Sequence, residues 1–118
     1  MATESIIRTK SFAFALKIIK LYRALVEQKE FVISKQMLRS GTSIGANVEE
    51  ALGAQTRKDF HSKMTIAYKE ARETLYWLRL LKESGLVKED FQTYLADVEE
   101  LNRILSSITK TTKTTKGN

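Results

Sequence analysis

The feature that most constrains the fold of this chain is a run of small residues at positions 38–53, LRSGTSIGANVEEALG. A run this rich in glycine, alanine, serine and threonine is typical of a loop, since glycine is a strong breaker of regular structure. Its apolar residues nevertheless keep helical spacing, because Ile44, Val48 and Ala51 lie on one face of an ideal helix. We therefore predict that the run forms the middle of a long helix.

Two glycines inside a helix need a physical reason, because each costs about 1 kcal/mol relative to alanine. Gly41 and Gly45 are four residues apart and share a face, where the missing side chains would let a second helix approach closely. In membranes this spacing marks a helix dimer, but Arg39, Glu49 and Glu50 rule out a membrane span here. The alternative, a flexible loop between two shorter helices, stays open at this point.

Four helices account for most of the chain. Its 118 residues suit a single domain, and the absence of proline favours long, uninterrupted helices. Apolar periodicity predicts helices at residues 8–28, 32–54, 57–83 and 88–110. Short turns between them indicate an all-α, up-down-up-down four-helix bundle over residues 8–110. Residues 1–7 are expected to be a loose N-terminal lead-in, and residues 111–118, a lysine and threonine repeat, a disordered tail.

Local signals place the ends of the third and fourth helices. Thr56, with Asp59 three residues later, has the spacing of a capping motif. Gly85 is expected to end the third helix. Glu89 and Asp90 are expected in the first turn of the fourth helix, where negative charge complements the helix dipole.

Helix one carries more apolar surface than one small bundle can cover. Its apolar residues occupy an arc of roughly 220°, whereas a helix that faces one core needs a stripe of about 100°. Helix three also has apolar residues away from its core-facing stripe. Two explanations stay open, a helix central to its own bundle and a contact with another subunit. The residues predicted to contact another subunit are Phe14, Ile18, Leu21, Leu25, Ile66, Trp77 and Leu80.

The charge balance is compatible with an anionic partner. The net charge is +6, and such an excess of basic residues can attract nucleic acid, but by itself it mainly indicates solubility and non-specific association. Phosphate contacts would give affinity with little sequence information, and Tyr76 and Trp77 are the aromatic residues expected to stack on bases. The alternative is an ordinary solvated face. The residues predicted to bind nucleic acid are Lys10, Lys17, Lys20, Lys58, Lys69, Arg72, Arg79 and Lys82.

The sequence indicates no catalysis. The chain has one histidine, His61, with no glutamate three residues before it, which excludes the Glu-x-x-His pairs of di-iron bundles. It has no cysteine, no G-x-S-x-G motif and no phosphate-binding glycine loop. We therefore expect no catalytic, cofactor-binding or metal-ligating residue. Carboxylates such as Glu49, Glu50 and Glu70 are expected to be surface charges or partners of basic residues.

Several motifs taken together resemble a known family. They are LRSGTSIGANVEEA at 38–51, RKDF at 57–60, KM at 63–64 and ARETLYWL at 71–78. With them the chain resembles, over residues 8–108, the bacterial four-helix bundle proteins named for reading frames in intervening sequences of 23S rRNA genes. The resemblance implies a cytoplasmic bundle that assembles as a ring-shaped homopentamer and has no established catalytic residues.

Accessory proteins of diversity-generating retroelements also resemble this group, and they form positively charged pentameric barrels that bind nucleic acid and a reverse transcriptase. The resemblance therefore implies as partners further copies of the chain, RNA or DNA, and a nucleic-acid-processing protein, with no membrane. Our leading hypothesis is a non-enzymatic oligomeric bundle that binds RNA or DNA through basic surfaces. The alternative is a structural or protein-interaction scaffold with no nucleic-acid role.

Overall fold

The structure, a computed structural model, describes residues 2–113, and within this range the chain forms four α-helices and no strand. The helices are α1 (Ala2–Glu27), α2 (Ile33–Leu52), α3 (Arg57–Ser84) and α4 (Gln92–Thr112). Helices α1 and α3 each pack against both α2 and α4. They form a bundle about 50 Å long and 21 Å wide, which confirms the predicted all-α class.

Consecutive helices run antiparallel, as ion pairs between them show. Arg8, near the start of α1, lies 2.7 Å from the carboxylate of Glu49, near the end of α2. Glu50, next along α2, lies 2.9 Å from the amine of Lys63, near the start of α3. The short connections therefore reverse the chain direction each time.

The core lies along the bundle axis, where each helix contributes apolar residues spaced three and four apart. On α4 the buried apolar residues include Val98, Leu101 and Leu105. The buried apolar residues of α1 are Ile7, Phe14, Ile18, Leu21 and Leu25. Within residues 2–113, no helix combines the length and apolarity needed to cross a bilayer.

Helix α2 is continuous through its glycines, so the alternative of a loop is wrong. Its glycine face packs closely on α1. A Cβ atom placed on Gly41 would lie only 2.9 Å from Cγ2 of Ile18, and one placed on Gly45 would lie 3.4 Å from the carbonyl oxygen of Ser11. The missing side chain of Gly41 therefore allows α1 and α2 to approach each other closely, whereas a Cβ atom at Gly45 would make an ordinary contact.

The N-terminal prediction is wrong for residues 2–7, because α1 begins at Ala2 and these residues are helical, while residue 1 lies outside the described residues. Ile7 is fully buried and stands seven residues before Phe14, so the core-facing stripe of α1 starts inside the supposed lead-in. At the other terminus α4 extends to Thr112. The predicted disordered tail thus begins too early, and residues 114–118 lie outside the described residues.

Helix α4 begins at Gln92, later than predicted, so Glu89 and Asp90 precede the helix instead of occupying its first turn. The carboxylate of Asp90 accepts a hydrogen bond from the backbone N–H of Gln92 at 3.0 Å. The other predicted ends are confirmed. The hydroxyl of Thr56 accepts from the backbone N–H of Asp59, and Gly85 ends α3 in the left-handed conformation, with φ of 70°.

A glutamate outside α2 caps its N-terminus. The carboxylate of Glu30 accepts hydrogen bonds from the backbone N–H groups of Val32 at 3.2 Å, Ile33 at 3.0 Å and Ser34 at 2.6 Å. Partial burial would raise the pKa of Glu30, but these N–H donors outweigh it and hold the pKa below its ordinary value. Glu30 thus satisfies donors that a helix leaves unpaired at its start.

Replacement of Glu30 by glutamine is expected to lower the free energy of unfolding by about 1 kcal/mol at neutral pH, the usual cost of losing a cap. Because the folded-state pKa is lowered, the stabilisation is complete above the ordinary glutamate pKa of about 4.3. It disappears as the pH falls through the lower folded value. Urea unfolding at several pH values measures both effects.

The control is Glu83→Gln, because the side chain of Glu83 is exposed and forms no hydrogen bond or ion pair with residues 2–113. We expect that variant to stay within about 0.5 kcal/mol of the natural protein. If both variants behaved alike across the pH range, Glu30 would not cap α2.

Candidate nucleic-acid interface

The lysines predicted on α1 are largely neutralised by α4. Lys10 lies 3.3 Å from the carboxylate of Glu100, and Lys17 forms an ion pair with Asp97 while its amine lies 5.5 Å from the ring centroid of Tyr94. Lys20 is exposed and pairs with no carboxylate within residues 2–113. Lys10 and Lys17 therefore attract an external anion only weakly, because each is already paired with a carboxylate.

The basic residues predicted on α3 behave differently, since all of them are exposed. These residues are Lys58, Lys69, Arg72, Arg79 and Lys82. In the part of the chain that the structure describes, none of the five forms an ion pair with a carboxylate. The positive charge of these five residues is therefore available to an external anion, whereas Lys63 of α3 is paired with Glu50.

A groove between α3 and α4 brings two of these basic residues, Arg72 and Arg79, together with Arg103 of α4, which the sequence analysis did not identify. We call it the α3–α4 groove. It encloses about 620 Å³, and it is lined by Tyr68, Arg72, Leu75, Tyr76, Arg79, Glu99, Asn102 and Arg103. A shallower continuation past Tyr68 reaches Lys110. Arg103 and Lys110 stand seven residues apart, so they share a face of α4, and this spacing could have identified them as a basic pair. The sequence analysis missed them because the segment around Arg103 has a net negative charge.

The two tyrosines of the α3–α4 groove differ in accessibility. The guanidinium of Arg72 lies 5.8 Å from the ring centroid of Tyr68, and its hydrogen bond to the hydroxyl lowers the pKa of Tyr68. Tyr76 is 54% exposed and packs edge to face with Trp77, at 5.1 Å between ring centroids. Tyr76 is therefore an open aromatic surface, whereas Tyr68 is partly covered by Arg72.

Trp77, the other predicted stacking residue, is half-buried on the side of α3 that faces α2. Its indole N–H donates to the carboxylate of Glu73 at 2.9 Å. This bond, followed by the guanidinium of Arg39, lowers the pKa of Glu73. Arg39 also lies 3.2 Å from Glu70. The carboxylates on this side are thus partners of basic residues, as the sequence suggested, and no group of side chains within residues 2–113 could hold a metal ion.

An apolar surface lies on the outer side of α1, away from the core. It consists of Phe12, Leu16 and Ile19, which are 65%, 55% and 44% exposed, and we call it the α1 apolar face. These residues line a depression of about 290 Å³, to which Gly45 and Ala46 of α2 contribute. Three large apolar side chains in one row on a helix indicate a contact surface.

The prediction that Phe14, Ile18, Leu21 and Leu25 contact another subunit is wrong, because all four are buried in the core of their own bundle. The apolar periodicity of α1 indicated how wide its apolar arc is, but it could not indicate which part of that arc faces the core of the bundle. On α3, Ile66 is 38% exposed, and Trp77 and Leu80 are half-buried. Their assignment to a subunit contact stays a prediction.

The family described as 23S rRNA-intervening sequence protein matches residues 3–107 of this chain. The fold is similar to the crystal structure of a protein with unknown function from the S23 ribosomal protein family from Bacteroides thetaiotaomicron VPI-5482. The two are 50% identical in sequence, with a TM-score of 0.87, and the match covers 92% of this chain and 98% of that one. Comparison with curated proteins finds no match.

Proposed function

Because this chain belongs to the family of 23S rRNA-intervening sequence proteins, we propose that it is a non-enzymatic, oligomeric bundle that binds RNA or DNA. Binding takes place on the basic surface formed by α3 and the facing residues of α4. The assembled form is a homopentamer, as the resemblance implies, and its subunits meet through the α1 apolar face.

The observation that carries this proposal is the unpaired charge along α3. The exposed basic residues of that helix have no carboxylate partner within residues 2–113, whereas Lys10 and Lys17 on α1 have one each. A partnered lysine must lose an existing attraction before it can bind phosphate. An unpartnered one gains the phosphate contact at little cost and releases counterions from the nucleic acid.

The test is a titration of labelled RNA and DNA with the protein at several salt concentrations. The affinity should fall steeply with salt, because each phosphate contact releases condensed counterions. In the double variant Arg72→Gln, Arg79→Gln, the slope of log K against log salt should shrink by roughly one per lost contact. Binding that is absent at low salt, or that does not respond to salt, would contradict the proposal.

The matched control is Lys29→Gln, Lys35→Gln, which removes the same charge from exposed positions near the α1–α2 turn. It should lower the affinity much less than the double arginine variant. Equal losses would mean that total charge, and not the α3 surface, determines binding.

A second candidate function is a scaffold that joins proteins and has no nucleic-acid role. The α1 apolar face favours it, since Phe12 and Leu16 are more than half exposed. In that case the protein would assemble, but the salt titration would detect no nucleic acid bound. The basic surface would then serve solubility alone.

A further inference from the structure

We propose that the α3–α4 groove holds single-stranded nucleic acid, with an unpaired base stacked on Tyr76 and the neighbouring phosphates on the arginines. This inference rests on the proposed function and names the class of nucleic acid that the same surface selects. It depends on the arrangement of charge, aromatic surface and depth within the groove.

The charge of the groove lies along both of its walls. Arg72 and Arg79 stand seven residues apart on α3, and Arg103 faces them from α4. None of the three forms an ion pair within the described range, and the acidic side chain among the lining residues is Glu99. The groove is thus a positive channel open to a polyanion. Lys110 extends this charge past Tyr68.

The dimensions of the groove suit one strand. From Tyr68 to Arg79 the lining residues of α3 span about 16 Å, at 1.5 Å per residue. The two walls belong to helices in direct contact, whose axes lie about 8–10 Å apart. A recess between packed helices admits one flexible strand, whereas a stiff duplex would reach only the charges on its rim.

Tyr76 supplies the surface that distinguishes unpaired bases from paired ones. Tyr76 is 54% exposed, and its one ring contact within the described residues is the edge-to-face contact with Trp77, at 5.1 Å between ring centroids. Stacking on an aromatic side chain requires the face of a base, and every base in a single strand can present one. In a duplex the base faces are covered by neighbouring pairs, so Tyr76 would contribute nothing to duplex binding.

The experiment compares a labelled oligothymidylate with a blunt-ended, two-strand duplex that carries the same number of phosphates and no unpaired base, at one salt concentration. The natural protein should bind the single strand more tightly. Tyr76→Leu should weaken single-strand binding about tenfold, the loss of one stacked base, and leave duplex binding unchanged. Tyr76→Phe retains the ring and should behave like the natural protein.

A second pair of variants tests whether both walls of the groove take part. Arg103→Gln on α4 should weaken single-strand binding as much as Arg72→Gln on α3. Lys58→Gln, which removes the same charge outside the groove, should have a smaller effect. Circular dichroism of each variant verifies that the bundle is intact.

The outcomes separate this inference from the proposed function. If neither nucleic acid binds at low salt, the proposed function fails and this inference fails with it. If the protein binds the single strand and the duplex with equal affinity, and Tyr76→Leu does not weaken single-strand binding more than duplex binding, the proposed function stands. The inference that the groove selects single strands is then refuted. If Lys58→Gln weakens binding more than Arg103→Gln does, the strand lies on the outer face of α3 instead.

Discussion

Gly41→Leu is expected to lower the free energy of unfolding by about 3 kcal/mol or more, at the upper end of the usual cost of overpacking. Even a Cβ atom at this position would come within 2.9 Å of Cγ2 and 3.1 Å of Cγ1 of Ile18. Ile18 is fully buried and β-branched, so its side chain cannot rotate away without disturbing the core. The added side chain would therefore push α1 and α2 apart.

A matched pair of alanine variants separates this close contact from helix propensity. Both Gly41→Ala and Gly45→Ala should gain about 1 kcal/mol from the better helix former. At Gly45 the new Cβ would make an ordinary contact with the carbonyl oxygen of Ser11 at 3.4 Å, so the gain should persist. At Gly41 the clash should exceed the gain and destabilise the protein.

Urea unfolding followed by circular dichroism, at one fixed protomer concentration, measures all three variants. The expected order of stability is Gly45→Ala above the natural protein, then Gly41→Ala, then Gly41→Leu. If Gly41→Leu were as stable as the natural protein, α1 and α2 would not be held together at the glycine face.

Leu16→Asp is expected to reduce the proposed oligomer to single protomers at micromolar concentration. Full burial of a leucine side chain contributes about 1.5–3 kcal/mol, and a buried unpaired carboxylate costs more than that gain. The association constant of each subunit contact should therefore fall by more than about a hundredfold. Because Leu16 is 55% exposed in the protomer, the bundle itself should keep its helix content.

Light scattering on a sizing column measures the mass, and Leu86→Asp is the matched control. Leu86 is 59% exposed but lies in the α3–α4 connection, away from the α1 apolar face. Its replacement should leave the mass unchanged. A natural protein that is already monomeric at micromolar concentration would refute this interface. Loss of the oligomer in Ile66→Asp but not in Leu16→Asp would place the contact on α3.

The helices were predictable from the sequence because apolar spacing is a local property. The continuity of α2 through Gly41 and Gly45 follows from the apolar residues that flank them. The ends were harder to place. Ile7 stands one heptad before Phe14, and this spacing could have revealed that α1 starts early. The late start of α4 goes with a hydrogen bond that the carboxylate of Asp90 accepts from the backbone N–H of Gln92.

The candidate site was only half predictable, because it depends on which helices are neighbours and in what register. The sequence identified Arg72 and Arg79, but it could not show that Asp97 and Glu100 lie against the lysines of α1. Nor could it show that Arg103 faces the same groove as Arg72. Such pairings join residues that are far apart in the chain, so periodicity within one helix does not reveal them.

The contact between Tyr76 and Trp77 has an optical consequence. Trp77 is the one tryptophan in the chain, so tryptophan emission excited at the red edge comes from a single indole, which lies on the α2 side of α3 and contacts Tyr76 of the α3–α4 groove. The hydrogen bond to Glu73 holds that indole in place, and changes in emission would reflect its immediate surroundings. If the proposed strand stacks on Tyr76, it changes the surroundings of the adjacent indole, and the emission of Trp77 then reports binding without an attached dye.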